Sequence, residues 1–282
     1  MDWSKIKTIL IIALLLANLV LGYEVYKQKA AIRDNSYSEN FQRTTLNLLE
    51  KEGIELDPKV ELKKESLNSL RVQYENLNEE EINQRFFENE ALLQQKTLSL
   101  LRLVFDEENL SVYDGRRLSY ENKIPVGEEK ITEEEAEEIA LNFLKKRSFS
   151  TKDLKLISSK VWNKGYEFTY KEVYAGTLVE TTYTKFKVDK TGVHKFDRLW
   201  LEVVEPSERQ TPMISPEKVL LNLLDKKEAQ GRKVMRLEPC YYFNPSQQGY
   251  IEDISRAQQG RAIPAWRIQL DGGEEIIVDT LS

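Results

Sequence analysis

Residues 8–23 read Thr8-Ile9-Leu10-Ile11-Ile12-Ala13-Leu14-Leu15-Leu16-Ala17-Asn18-Leu19-Val20-Leu21-Gly22-Tyr23, an uncharged and strongly apolar run that no other stretch of the chain matches. At about 1.5 Å per residue, a helix of this length reaches roughly 24 Å, a little short of the ~30 Å hydrocarbon layer of a bilayer. The flanks supply the remainder. Trp3 on one side and Tyr23 and Tyr26 on the other are placed as aromatic anchors at the membrane interface, and Lys5, Lys7 and Lys27 can extend toward lipid headgroups. The run therefore predicts a transmembrane helix over residues 8–26. A cleaved signal peptide has a similar charged start and apolar core. Against it, the exit Leu19-Val20-Leu21-Gly22-Tyr23-Glu24 offers no small-x-small cleavage site and no cysteine for lipid attachment. Charge does not fix the orientation, because Lys5 and Lys7 on the short side face Lys27, Lys29 and Arg33 on the long side.

Asn18 carries an amide into hydrocarbon, where no water meets its donors and acceptor, and contact with another helix is the cheapest remedy. Ala13 and Ala17 share one helical face, while Asn18 and Gly22 share a second, about 100° around the axis. Small residues let helix backbones approach closely, so two distinct contact surfaces are predicted.

The roughly 250 residues that follow suffice for one large core or two ordinary ones. A net charge of −6, with 41 Lys and Arg against 47 Asp and Glu, gives no support to nucleic-acid binding. Cys240 and His194 are the sole residues of their kinds, which excludes an intrachain disulfide and any zinc site built from Cys and His. A serine or cysteine triad would need His194, which follows the turn Lys190-Thr191-Gly192 on a predicted hairpin strand and reads as a structural histidine. Cys240, in an apolar strand-like run, reads as a small buried hydrophobe.

Along the chain, Ser36 and Glu39 form a capping-box pattern opening a helix with an apolar face of Phe41, Leu46, Leu48 and Leu49, ended by Gly53. Extended segments follow at 54–62 and 67–74. Asn78 caps a helix carrying Ile82, Phe86 and Phe87, and strands are predicted at 98–105, 110–113 and 117–120, the last two joined at Asp114-Gly115. Ile124-Pro125-Val126-Gly127 reads as a linker. Thr132 and Glu135 make a second capping box, and Ala136, Ile139, Ala140, Phe143 and Leu144 form the stripe of an amphipathic helix. Strands at 154–162, 166–174, 177–188 and 193–204 form an antiparallel meander. Ser215-Pro216 opens a further helix through Val219, Leu220, Leu223 and Leu224, before strands at 234–243, 261–270 and 275–280. The prediction is an α+β fold: a single N-terminal transmembrane helix, then an ectodomain of repeated helix-plus-antiparallel-sheet units. By position these are a tail at 1–7, the helix at 8–26, a first unit at 27–125 and a second at 126–282.

Catalytic patterns are weak. Ser215-Pro216-Glu217-Lys218 and Lys190-Thr191-Gly192 imitate penicillin-binding fragments in reversed order, without the S-D-N element, and both already serve as helix start and hairpin turn. The glutamates within 133–138 suit the positive end of a helix dipole. No phosphate-cradling loop or nucleophile elbow is present. The sequence predicts no catalysis and no cofactor.

The opening Met1-Asp2-Trp3-Ser4-Lys5-Ile6-Lys7-Thr8, with Asn18 in the apolar helix behind it, resembles the start of the YycI (WalI) family. The ending Ile263-Pro264-Ala265-Trp266-Arg267-Ile268, with Asp271-Gly272-Gly273 and Val278-Asp279, resembles that family's C-terminus, though similar strand endings occur in PepSY-like extracytoplasmic domains. The resemblance implies a PepSY/YycH-like ectodomain outside the cell and a short cytoplasmic tail. It further implies regulation of a sensor histidine kinase (WalK, also YycG) that governs cell-wall metabolism in Gram-positive bacteria. The implied partners are that kinase, through transmembrane helices, and a YycH-like protein. The second reading is an extracytoplasmic binding module or protease inhibitor that the membrane merely tethers.

Overall fold

The computed structural model describes residue 7 and residues 11–25, 39–247 and 258–279. The predicted cap Ser36 lies outside the described residues. Residues 11–25 are helical, and α1 (Glu39–Lys51) follows. Leu49 and Thr45 are buried on α1, whereas Leu48, predicted for the inner face, is 38% exposed. Gly53 ends the helix in the left-handed region at φ 72°, its N–H donating to the Glu50 carbonyl. Strands β1 (Glu55–Leu56) and β2 (Ser66–Tyr74) come next, then α2 (Glu79–Phe87), on which the Asn78 side chain caps the Glu81 N–H. β3 (Leu92–Lys96), β4 (Leu100–Phe105), β5 (Glu108–Tyr113) and β6 (Arg117–Asn122) form an antiparallel run. Asp114 and Gly115, at φ 50° and 64°, make the predicted tight turn. β3 was not legible in the sequence, because all five of its residues are exposed and no apolar alternation marks it.

Helix α3 (Glu133–Lys146) has the full capping box: Thr132 Oγ1 accepts from the Glu135 N–H at 3.2 Å and Glu135 Oε2 from the Thr132 N–H at 2.9 Å. The meander β7 (Leu154–Trp162), β8 (Gly165–Tyr174), β9 (Thr177–Asp189) and β10 (Gly192–Leu199) follows, with α3 across β8, β9 and β10. The strand predicted over 193–204 is two strands. It breaks at Trp200, beyond which β11 (Leu201–Pro212) leaves β10's ladder and pairs antiparallel with β2. Helix α4 (Pro216–Leu221) is shorter than predicted and passes into tight turns at Asn222–Asp225 and Lys227–Ala229. β12 (Lys233–Tyr242), β13 (Gln259–Leu270) and β14 (Glu275–Asp279) complete the chain. The fold is thus mixed α and β with a large sheet. It is not wholly antiparallel, since β12 runs parallel to β1 and to β9. A parallel neighbour needs a crossover, and the helical segment after residue 215 supplies one.

Packing divides the chain into two compact units. One comprises residues 1–65, 214–237 and 268–276; in it α1 packs against α4, and Leu49, Ile54, Val219, Leu220, Leu223 and Val234 are buried. The other comprises 66–213, 238–267 and 277–282. Its core is aromatic: Phe143, Phe186 and Phe196 meet with ring centroids 5.0–6.1 Å apart. At fixed area such pairs add about 0.5–1.5 kcal/mol each. β6, from before residue 125, pairs with β10, from after it, over five residues, so this core draws on both halves of the sequence.

Candidate functional site

Two places in the chain are built unlike the rest: the N-terminal helix and a polar cleft in the larger unit. Every residue at 11–25 is exposed, with Leu14 at 59%, Leu19 at 70% and Leu21 at 63%. Nine Leu, Ile and Val side chains here expose half or more of their surface. At about 25 cal/mol per Å², roughly 1 kcal/mol or more per side chain, on the order of 10 kcal/mol of burial remains unrealised within the chain. Ala13, Ala17, Asn18, Gly22 and Tyr23 all lie on this exposed helix, Lys7 is itself exposed, and a Cβ placed on Gly22 would meet nothing within 4 Å. Trp3, Lys5 and Tyr26 lie outside the described residues. Among the described residues no helix is long and apolar enough to cross a membrane.

The cleft, of about 630 Å³, is walled by α2, β8, β10 and the start of β11. Arg198 at the end of β10 is 1% exposed and fully engaged: its Nε and Nη2 donate to the two oxygens of Glu75 at 2.8 and 3.2 Å, and its Nη1 to Thr184 Oγ1 at 3.0 Å. Its guanidinium lies 4.1 Å from the Trp200 ring centre and 4.9 Å from that of Phe149. On α2, Arg85 pairs with Glu81 one turn away. Both cations are therefore neutralised within the wall. Glu172 is not. It is 5% exposed, and its Oε2 has no hydrogen-bond partner among the described residues. Burial pushes its carboxyl up to about 8; Arg198 and the Leu201 N–H pull it down, while Asp153 and Glu75 push it further up. At neutral pH this carboxyl is largely protonated.

The solitary histidine belongs to a separate network. His194 Nε2 lies 2.8 Å from Asp189 Oδ2, which also accepts from the Gly127 N–H at 2.8 Å; the other Asp189 oxygen accepts from the Thr191 N–H and hydroxyl. Burial opposes the Asp189 charge, but hydrogen bonds from Thr191, Gly127 and His194 outweigh it and hold the carboxyl down to about 2. This arrangement ties the predicted linker at Gly127 to the β9–β10 turn. His194 is 6% exposed and bonded, the structural histidine that its position in a hairpin predicts.

The decisive comparison is with known families: the model of the family described as YycI protein matches residues 33–280. The chain belongs to the YycI family. That family is regulatory and non-catalytic, and membership supports a role in the WalK/YycG system. None of the curated proteins matches the chain. Among solved structures, an uncharacterized protein from Eubacterium rectale is similar at 12% identity, with 84% of this chain and 96% of that one covered and a TM-score of 0.51, which shows the fold. YycH from Bacillus subtilis gives 11% identity, 76% and 52% coverage and a TM-score of 0.47. The C-terminal domain of YpeB from Bacillus megaterium gives 14%, 73% and 93%, and 0.41.

In this family member the C-terminal residues that carry the resemblance divide between core and surface: the strand residues 264–268 are buried, whereas the turn Asp271-Gly272-Gly273 is exposed. Ala265, Trp266 and Ile268 are at most 1% exposed, and Arg267 is ion-paired with Glu180 at 3.0 Å and Glu238 at 3.3 Å. Cys240 is buried with Leu178 and Ala265, as expected of a small hydrophobe. Sequence reasoning missed the cleft entirely. Glu75, Asp153, Glu172 and Arg198 are widely spaced in the chain and match no motif. The one available signal was Glu172 within a strand of alternating aromatic residues, a charge at a position that alternation would turn inward.

Proposed function

We propose that the chain is a single-pass membrane protein with its N-terminus in the cytoplasm and residues 27–282 outside the cell. It regulates a WalK-like sensor histidine kinase together with a YycH-like partner and acts without catalysis of its own. The observation that carries this reading is the uninterrupted exposure of an apolar helix in a YycI-family chain. Such a surface is stable only against lipid or another helix. Asn18 and Gly22 on one face, and Ala13 and Ala17 on the other, give the kinase and the YycH-like protein separate surfaces. Trp3, Lys5, Lys7, Tyr23 and Tyr26 set the depth of the helix in the membrane.

The test is Asn18→Leu in the full chain. An interhelical amide bond contributes about 0.5–2 kcal/mol in membranes, so association with the kinase falls roughly two- to thirtyfold while membrane insertion persists. Crosslinking titrations read the difference. Wild-type association by Asn18→Leu, or regulation that survives exchange of residues 8–23 for an unrelated spanning helix, refutes the helix as the site of action. The second outcome would favour a tethered binding module.

A further inference from the structure

We propose that the cleft in the larger unit receives a primary ammonium group, as a lysine side chain on a peptide presents it, which donates to the unpartnered Glu172 Oε2 with Asp153 beside it. Five carboxyl groups line the cleft, at Glu75, Glu81, Asp153, Glu172 and Glu202, against the two guanidinium groups of Arg85 and Arg198, so the acids outnumber the cations even with Glu172 protonated. Both guanidinium groups are already paired, so the uncompensated charge is negative. Glu202 is occupied by the Gln73 amide at 2.9 Å. That leaves Asp153, which is exposed, and Glu172, which is buried. A buried polar atom without a partner is expensive, and in a native structure it points to something that completes it. The β8–β9 ladder shifts register between Tyr170 and Glu172, the kind of irregularity that re-aims a side chain beside a site.

A cation is the complement that this oxygen lacks. A ligand anion would meet net negative charge. Val173, Tyr174 and Ala175 continue the wall from Glu172 and offer apolar surface to a four-carbon stem, and the volume exceeds what a bare ammonium ion needs. Binding must ionise Glu172, and the proton leaves to solvent. The groups facing Glu172 are Arg198 from β10, Asp153 ahead of β7, Glu75 beyond β2 and the Leu201 N–H of β11. None of them supplies a second cation to take the ligand's place. Affinity therefore rises with pH while the ammonium group stays charged.

The experiment is calorimetric titration of the full chain in detergent with Nα-acetyl-lysine methylamide, with its Nε-acetylated analogue and with putrescine. The expected result is binding of the first, at least roughly tenfold loss on Nε-acetylation, and an affinity roughly tenfold or more higher at pH 8.5 than at 6.5. Glu172→Gln is expected to remove the pH dependence, and Asp153→Asn, at an exposed position, to weaken binding without touching the fold. Putrescine binding at least as tightly as the lysine probe overturns the peptide source. Equal binding of the acetylated and unacetylated probes, or no binding of either, overturns the site. The two probes need no variant, so the outcome stands even where Glu172→Gln fails to fold.

Discussion

Glu172→Gln separates two explanations for a glutamate in a strand of the sheet: one that stabilises the fold, and one kept despite its cost. In the unfolded chain the carboxyl titrates near 4.5, and in the folded protein it is pushed up to about 8. A carboxyl whose pKa is raised on folding imposes no penalty below the unfolded value, and stability falls as pH climbs from there to the folded value. Between pH 5.5 and 8 the folded state must either hold a proton that the unfolded state has released or bury a charge. The difference across that window is about two pH units, or about 3 kcal/mol at 1.36 kcal/mol per unit. A glutamine of the same shape carries no such dependence. Its stability relative to wild type should therefore climb by about 3 kcal/mol from pH 5.5 to 8, a relative shift in Tm of roughly 6–12 °C for a domain of this size. Thermal melts of the two full-length chains in one detergent, at matched ionic strength, read the difference directly. A difference between the two melts that stays constant over pH 5.5–8 refutes the reasoning and makes Glu172 an ordinary ionised carboxylate.

Gly165→Ala should be among the most damaging small substitutions: a Cβ there falls 1.9 Å from the Val188 carbonyl oxygen and 2.8 Å from the Asp189 Cα, so backbone must move. A loss of roughly 3 kcal/mol in a denaturant melt is expected, against about 1 kcal/mol for Gly176→Ala, where only a φ of 85° is offended and the space is open. Asp189→Asn removes a carboxylate held down to about 2, with an unfolded value of 3.8. That group contributes about 2 kcal/mol above pH 4 which vanishes as pH falls through 2, so the variant should lose stability at neutral pH and show a flatter acid limb. A wild-type acid limb in Asp189→Asn would count against the network. Phe143→Ala, at the meeting of α3 with the aromatic core, should cost about 3–5 kcal/mol.

Periodicity and capping were the legible part of the fold. Thr132 with Glu135 and the stripe Ala136, Ala140, Phe143 and Leu144 located the start and the buried face of α3, because cap, dipole and apolar face agree there. The tight turn at Asp114-Gly115 was equally legible, since left-handed backbone demands residues that tolerate it. Where local signals are weak, pairing is decided by distant partners. Nothing local in Leu199-Trp200-Leu201 announces that β10 ends and that the chain crosses to β2, more than 120 residues earlier. β3 has no buried face to leave a pattern, and the parallel placement of β12 beside β9 is a property of the crossover rather than of either strand.

The candidate sites differ for the same reason. An apolar helix writes its environment into consecutive residues, so Asn18 stands out from its neighbours alone. A cleft assembled from α2, β8, β10 and the start of β11 writes nothing contiguous. Arg198 reads as a solvated strand cation until Glu75, 123 positions away, is seen to hold it in a two-point grip. Once that pair is closed, Glu172 is left beside it as a buried carboxyl that ionises only at a cost. The sheet tolerates this costly carboxyl although a glutamine of equal volume would avoid the cost above pH 5. A positively charged group arriving from outside would offset that cost, because its charge favours the ionised carboxyl that burial alone disfavours.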